Sequence, residues 1–252
     1  MLFNHKSSKN PPVLKPVDIC LLVDNSISLE DHIDDINSAV EEMIDGIKTS
    51  NVFKGLDVYF TFITFSDKMQ ILMDFEPINE IHHKKIVISK NYSTNPAPAL
   101  DYAVRTAMRR YNTNRDNGLQ PYKPVFYFFT DGIPYPAISM TRLSEEGPEM
   151  TYAAAFEQEA ALIKGYITQR SPKLLFICAG FGKDADIDNL KKLTDESFII
   201  NMREGNTDDL KRFFNQLIPQ TPCTNDPYAS AKDLIDLQFR MPGQADNNSR
   251  EK

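Results

Sequence analysis

Apolar residues along the chain form either short continuous runs or longer segments in which they recur every three or four positions. The first run, Val17–Val23, is almost wholly apolar, which is typical of a central parallel strand covered on both faces. From Glu30 to about Lys48 the apolar residues recur at helical spacing, which predicts a one-faced helix. Leu56–Phe65 is β-branched and aromatic and predicts a second strand. Lys68–Phe75 is predicted as a short strand beside the second one, and the sequence leaves open whether the two are antiparallel.

The alternation of strand and helix continues to residue 218. A helix is predicted from Pro96, because proline is suited to the first turn of a helix. The remaining predictions are a strand at Val125–Thr130, a helix at Tyr152–Thr168, a strand at Leu174–Ala179, a helix at Ile187–Leu193, a strand at Phe198–Ile200 and a helix at Asp208–Ile218. Such alternation predicts an α/β fold with a doubly wound, mostly parallel central sheet and helices on both faces.

The polar ends of the chain set the expected domain organisation. Residues 1–16 are predicted as a loose lead-in and residues 17–218 as one domain. Residues 219–252 are predicted as a polar tail, either disordered or flexible with one docking turn. The chain of 252 residues is long enough to bury a full core in that one domain.

Composition narrows the classes of partner and compartment. A net charge of −7 argues against nonspecific binding to nucleic acid or to an anionic membrane, which requires a basic surface. No apolar run is long enough to cross a bilayer, and the N-terminus lacks the apolar core of a secretion signal. Cys20 and Cys178 fall in predicted buried strands, and Cys223 falls in the tail. Their expected role is packing as free thiols, which favours the cytoplasm.

Five oxygen-bearing residues follow strands or precede a helix. Asp24, Ser26 and Ser28 come directly after the first strand, Thr94 lies before a predicted helix, and Asp131 follows another apolar run. In open α/β sheets, ligands collect beyond the carboxyl ends of the strands, so these residues are predicted to meet. Hydroxyl and carboxylate oxygens suit Mg²⁺, with Mn²⁺ as an alternative. The hydroxyls are candidate direct ligands, and the two carboxylates would act directly or through water.

These residues resemble the signature of the von Willebrand factor type A (vWA) domain family with its metal-ion-dependent adhesion site. The signature is Asp-x-Ser-x-Ser after the first strand, matched by Asp24, Ser26 and Ser28. A distant Thr and a later Asp within Thr-Asp-Gly are matched by Thr94 and Asp131. These features occur in the same order as in the family, and the resemblance extends over most of the chain.

The resemblance implies a binding module that is not an enzyme. It implies that an Asp or Glu of a partner protein completes the shell of the metal ion. The compact form is most similar to intracellular bacterial members associated with tellurium resistance, whose partners include kinase-like and phosphatase-like proteins. Ser93 is a rival to Thr94 as the third hydroxyl ligand.

Three other interpretations compete with this one. Alone, Asp-x-Ser-x-Ser is typical of a helix cap at a strand–helix turn. Asp184–Asp195 imitates a calcium loop, but it lacks the central glycine and the terminal Glu and is interpreted as capping a short helix. A metal-dependent hydrolase or phosphatase could use the same edge of the sheet, although Ser26 stands where such enzymes carry a second Asp.

Overall fold

The computed structural model describes residues 15–82, 84–132, 134–136, 138–169, 173–183, 185–202, 207–218 and 227–239. Most of the predicted lead-in and Cys223 lie outside the described residues. The fold is therefore described from Lys15 onward.

Six strands form the central sheet, in the order β3-β2-β1-β4-β7-β8. The strands are β1 (Pro16–Asp24), β2 (Asp57–Phe65), β3 (Met69–Pro77), β4 (Val125–Thr130), β7 (Leu175–Phe181) and β8 (Ile199–Met202). Two short strands, β5 (Met140–Thr141) and β6 (Met150–Thr151), form a separate hairpin. In the central sheet only the pair β2–β3 is antiparallel. The predicted α/β fold with a mostly parallel sheet is thus confirmed, and the open direction of β3 is resolved.

Helices connect the strands and cover both faces of the sheet. They are α1 (Ile33–Thr49), α2 (Ala97–Asp116), α3 (Tyr152–Ile167), α4 (Ile187–Leu193), α5 (Thr207–Lys211) and α6 (Pro227–Phe239). A 3₁₀ turn, Ile27–His32, precedes α1, and a π-helical stretch, Arg212–Leu217, continues α5. Within the described residues, no helix is both long and apolar enough to cross a membrane.

The position of β1 inside the sheet explains why its sequence is mostly apolar. Ile19 and Val23 belong to the apolar layer under α1 and the π-helical stretch. Cys20 and Leu22 belong to the opposite layer, under α2 and α3. Because side chains alternate along a strand and both faces are covered, apolar residues are favoured along the strand. The buried Asp18 is an exception, and its carboxylate is paired with Arg110. Cys20 and Cys178 are buried free thiols, as predicted.

The segment after residue 218 contains more ordered structure than one docking turn. Helix α6 places Ala231 and Ile235 in the same apolar layer as α1, where they are 0% and 1% exposed. Leu237, two residues beyond Ile235, is 81% exposed. Helical spacing therefore decides which apolar residues of this segment are buried.

The register of the sheet sets the position of the candidate site. Val23 of β1 lies opposite Phe129 of β4, so Asp24 and Thr130 end neighbouring strands at the same edge. Thr130 in turn lies opposite Gly180 of β7. The turns that follow these strands therefore open onto one edge of the sheet.

Candidate metal centre

The turn after β1 brings the two serines of the motif together. The Asp24 side chain accepts a hydrogen bond from the backbone N–H of Ser26 through Oδ1, at 2.8 Å. The hydroxyls of Ser26 and Ser28 lie 3.0 Å apart. Ser26 is the residue before the 3₁₀ turn, but its side chain makes no capping hydrogen bond there. The helix-cap interpretation is therefore not supported, since the Ser26 hydroxyl does not bond the helix backbone.

Asp24 is fully buried behind this turn. Its second oxygen, Oδ2, accepts a hydrogen bond from the Thr130 hydroxyl at 2.7 Å, and Thr130 also accepts the backbone N–H of Gly132 at 3.1 Å. Burial and then the nearby negative charge of Asp131 raise the pKa of Asp24 to about 7, while the bonds from Ser26 and Thr130 oppose that rise. Asp24 thus stabilises the turn from its buried side, and each of its carboxylate oxygens accepts a hydrogen bond.

Thr94 reaches the site through a loop that is fixed by backbone hydrogen bonds. Its N–H donates to the Tyr135 carbonyl at 2.7 Å, and the Tyr135 N–H donates back to the Thr94 carbonyl at 2.9 Å. The next residue, Asn95, donates its N–H to the Ser66 carbonyl at 2.6 Å. Thr94 lies in the wall of the cleft described below, whereas Ser93 is not among the residues that line it.

A cleft of about 450 Å³ opens at this edge of the sheet. Four of the five predicted site residues line it: Ser26, Ser28, Thr94 and Asp131. The fifth, Asp24, lies behind them. The other residues in the wall include side chains that the sequence did not single out, namely His32, Tyr92, Tyr135, Phe181 and Lys183.

Thr130, which precedes Asp131 in the Thr-Asp-Gly sequence, also contributes to the candidate site. Its hydroxyl orients the buried Asp24, as described above. The signal for it was present in the sequence, because Thr130 ends a predicted strand just as Asp24 does. The parallel pairing of β1 with β4 then places these two terminal residues side by side.

The donor set suits a hard cation. Hydroxyl and carboxylate oxygens line the cleft, and the described part of the chain contains no group of three or more His, Cys, Asp or Glu residues that could hold a metal. Asn25 and Asn95, the sequence neighbours of Asp24 and Thr94, each have a buried side-chain oxygen without a hydrogen-bond partner. Neither residue is among those that line the cleft, so the fit of a cation rests on the hydroxyl and carboxylate oxygens in its wall.

The calcium-loop interpretation finds no support in the described residues. Asp186 is the N-cap of α4, and its side chain accepts the backbone N–H of Asn189 at 2.9 Å. The same side chain also accepts the amide of Asn189. This is the helix-capping role predicted for that acidic stretch, of which Asp184 lies outside the described residues.

Comparison with solved structures finds similar folds at low sequence identity. Pilus adhesin SpaC from Lactobacillus rhamnosus GG in its open conformation is 16% identical, with a TM-score of 0.52, and the match covers 90% of this chain and 30% of SpaC. The ArnB paralog VWA2 from Sulfolobus acidocaldarius is 15% identical, with a TM-score of 0.47, and the match covers 81% and 45% of the two chains. Proximal thread matrix protein 1 from the mussel byssus, in a structure with a zinc-occupied MIDAS motif, is 14% identical, with a TM-score of 0.47 and coverages of 82% and 46%.

The chain therefore spans less than half the length of each of these proteins. No curated protein sequence matches it significantly. The sequence profile of the von Willebrand factor type A domain matches residues 18–216, which is most of the chain. Together with the doubly wound sheet, this match leads to one conclusion: the chain belongs to the von Willebrand factor type A domain family.

Proposed function

We propose that this chain is a metal-dependent protein-recognition module. The cleft would hold Mg²⁺, or alternatively Mn²⁺, through Ser26, Ser28, Thr94 and Asp131. Asp24 would support these residues from its buried position behind the cleft. The observation that carries the proposal is the convergence of these four oxygen-bearing side chains from distant parts of the chain on one cleft.

Each residue of the chain has a distinct task in this proposal. The hydroxyls of Ser26, Ser28 and Thr94 provide oxygen ligands without cancelling the charge of the cation. Asp24 fixes the Ser26 backbone, and Thr130 fixes Asp24. When bound, the cation supplies a positive charge that attracts an oxygen of a partner's Asp or Glu.

The arrangement favours binding over catalysis. A phosphatase that used Asp24 as its nucleophile would need that carboxylate to be accessible. Asp24 is fully buried, and both of its oxygens accept hydrogen bonds. Asp24 is therefore unsuited to act as a nucleophile, and we propose that the chain is not an enzyme. Turnover of a generic phosphatase substrate that requires metal and is lost in Asp24→Asn would contradict this.

The nature of the partner and the cellular setting are further parts of the proposal. The partner would be a protein with an exposed carboxylate rather than nucleic acid or membrane, in keeping with the net charge of −7. The resemblance in compact form to intracellular bacterial members associated with tellurium resistance makes kinase-like and phosphatase-like proteins the partners to test. The buried free thiols Cys20 and Cys178 are consistent with a cytoplasmic location.

Calorimetry with Mg²⁺ tests the metal site directly. We expect the wild-type chain to bind Mg²⁺ and Ser26→Ala/Ser28→Ala to bind it at least tenfold more weakly, a difference of about 1.4 kcal/mol. Ser93→Ala is the matched control, because it removes a neighbouring hydroxyl that does not line the cleft, and it should bind like wild type. Equal binding by wild type and the double variant would refute the site.

A further inference from the structure

Exposed apolar side chains are concentrated in two connections that contribute residues to the cleft. Within the described residues, five of the eight large apolar side chains that are exposed lie in the connections β3–α2 and β4–α3, which border the cleft. They are Val87, Tyr92, Tyr135, Ile138 and Met140. Tyr92 is 77% exposed and Ile138 is 84% exposed. The backbone pair between Thr94 and Tyr135 joins these two connections, and apolar side chains exposed together at one site are typical of interaction surfaces.

Backbone hydrogen bonds tie this surface to the metal-centre residues themselves. Tyr135 and Thr94 exchange two backbone hydrogen bonds, so Tyr135 is placed by a candidate metal ligand. The Asn25 amide donates to the Val87 carbonyl at 2.8 Å, which links Val87 to the turn after β1. Tyr92 and Tyr135 also line the cleft itself. Tyr135 and Val87 are therefore fixed relative to the candidate metal ligands by backbone contacts, and Tyr92 shares the cleft with them.

The charges in the cleft favour an acidic occupant. Asp131 and Lys183 both line the cleft and offset each other. A divalent cation bound by the hydroxyls would therefore make the cleft locally positive, although the net charge of the chain is −7. An acidic partner segment is attracted to the cleft and repelled by the rest of the surface.

We propose that the side chains of Tyr92, Tyr135 and Ile138, here called the apolar collar, form a second contact for the partner. The segment that binds is an acidic peptide stretch of another protein. Its Asp or Glu reaches the metal, and a bulky apolar side chain one or two positions away packs on the apolar collar. Adjacent residues of an extended chain are 3.8 Å apart, which keeps both contacts within one short segment. This inference rests on the proposed metal-dependent recognition.

A random peptide library displayed on phage tests the inference with the full chain loaded with Mg²⁺. Peptides released by a chelator should carry Asp or Glu with Leu, Ile, Met or Phe within two positions. Tyr92→Ser or Ile138→Ser should weaken binding of an enriched peptide about tenfold, the loss typical of an aromatic or large apolar anchor. Mg²⁺ affinity should stay unchanged in both variants. Val52→Ser, which alters a 44% exposed side chain after α1, at the opposite edge of the sheet, should change neither.

The outcomes separate this inference from the proposed function. Chelator-released acidic peptides without a neighbouring apolar residue would overturn the apolar collar and leave metal-dependent recognition standing. Peptide affinities that are the same for wild type, Tyr92→Ser and Ile138→Ser would do likewise. An absence of chelator-released peptides, together with no Mg²⁺ binding in calorimetry, would overturn both.

Discussion

The carboxyl group of Glu159 is buried without a hydrogen-bond partner, and neutralising it should stabilise the protein. Glu159 lies on α3, is 0% exposed, and neither of its oxygens has a hydrogen-bond partner. The nearest cation is Arg105, with Nη2 3.8 Å from Oε1, and Arg105 also binds Asp101. Burial and then the charge of Asp101 raise the pKa of Glu159 from 4.5 to about 7.

The size of the effect follows from this raised pKa. Between pH 4.5 and about 7 the folded chain keeps a proton on Glu159 that the unfolded chain has released. The free energy of unfolding therefore falls as the pH rises through this window. At about 1.4 kcal/mol per pKa unit, the ionised carboxylate costs about 3 kcal/mol once the pH exceeds the folded-state pKa. Below pH 4.5 the cost is absent, because both states are protonated.

Urea denaturation of wild type and Glu159→Gln near pH 5 and near pH 8 measures this difference. Gln has a similar shape and no charge, so we expect a gain of about 1 kcal/mol for the variant near pH 5, where the unfolded chain is already largely ionised at this position, and of about 3 kcal/mol near pH 8. Glu157→Gln, an exposed change on the same helix, alters net charge equally and should shift stability by less than about 1 kcal/mol at either pH. A gain for Glu159→Gln that is the same at both pH values would refute the reasoning.

Two further substitutions test the support of the metal centre and the docking of the last helix. Thr130→Val removes the hydroxyl that donates to buried Asp24 and should lower the free energy of unfolding by about 1–3 kcal/mol in urea titrations. Thr130→Ser should restore most of this loss, and an equally unstable Ser variant would show that the hydroxyl is not the cause. Ile235→Ala removes a side chain that is 1% exposed and should cost about 2–4 kcal/mol by thermal or urea unfolding. Leu237→Ala, at an 81% exposed position, should cost almost nothing, and equal effects at both positions would argue against α6 being docked.

The elements near the centre of the fold were predictable because their local patterns agree with their burial. The strand Val125–Thr130 and the helix Ile187–Leu193 have the same bounds in prediction and structure. Both patterns are local, since an apolar run or a helical face shows within a few residues. Helix α6 was underestimated, because its segment is largely polar. Among its described side chains, Ala231 and Ile235 are buried in the core, and Leu234 and Phe239 pack against it partly buried. Its burial depends on a surface that distant strands and helices create.

The sequence predicted that the candidate metal ligands lie near one another. It did not predict which of them line the cleft and which lies behind it. Asp24, Ser26 and Ser28 follow one strand, so the sequence alone places them together. Whether Thr94 or Ser93 faces the cleft depends on the backbone pair between Thr94 and Tyr135, which joins two connections far apart in sequence. The placement of Asp24 behind the cleft depends in the same way on Thr130 of the neighbouring strand.

The sequence by itself determined the alternation of strands and helices and the oxygen-rich residues at the strand ends, because periodicity and strand termini are local properties of a chain. Tertiary structure alone decided which side chains face the cleft, which carboxylate lies buried behind it and which apolar residues surround it. Those outcomes depend on strand register and on loop-to-loop hydrogen bonds, and these form only when distant segments pack against one another.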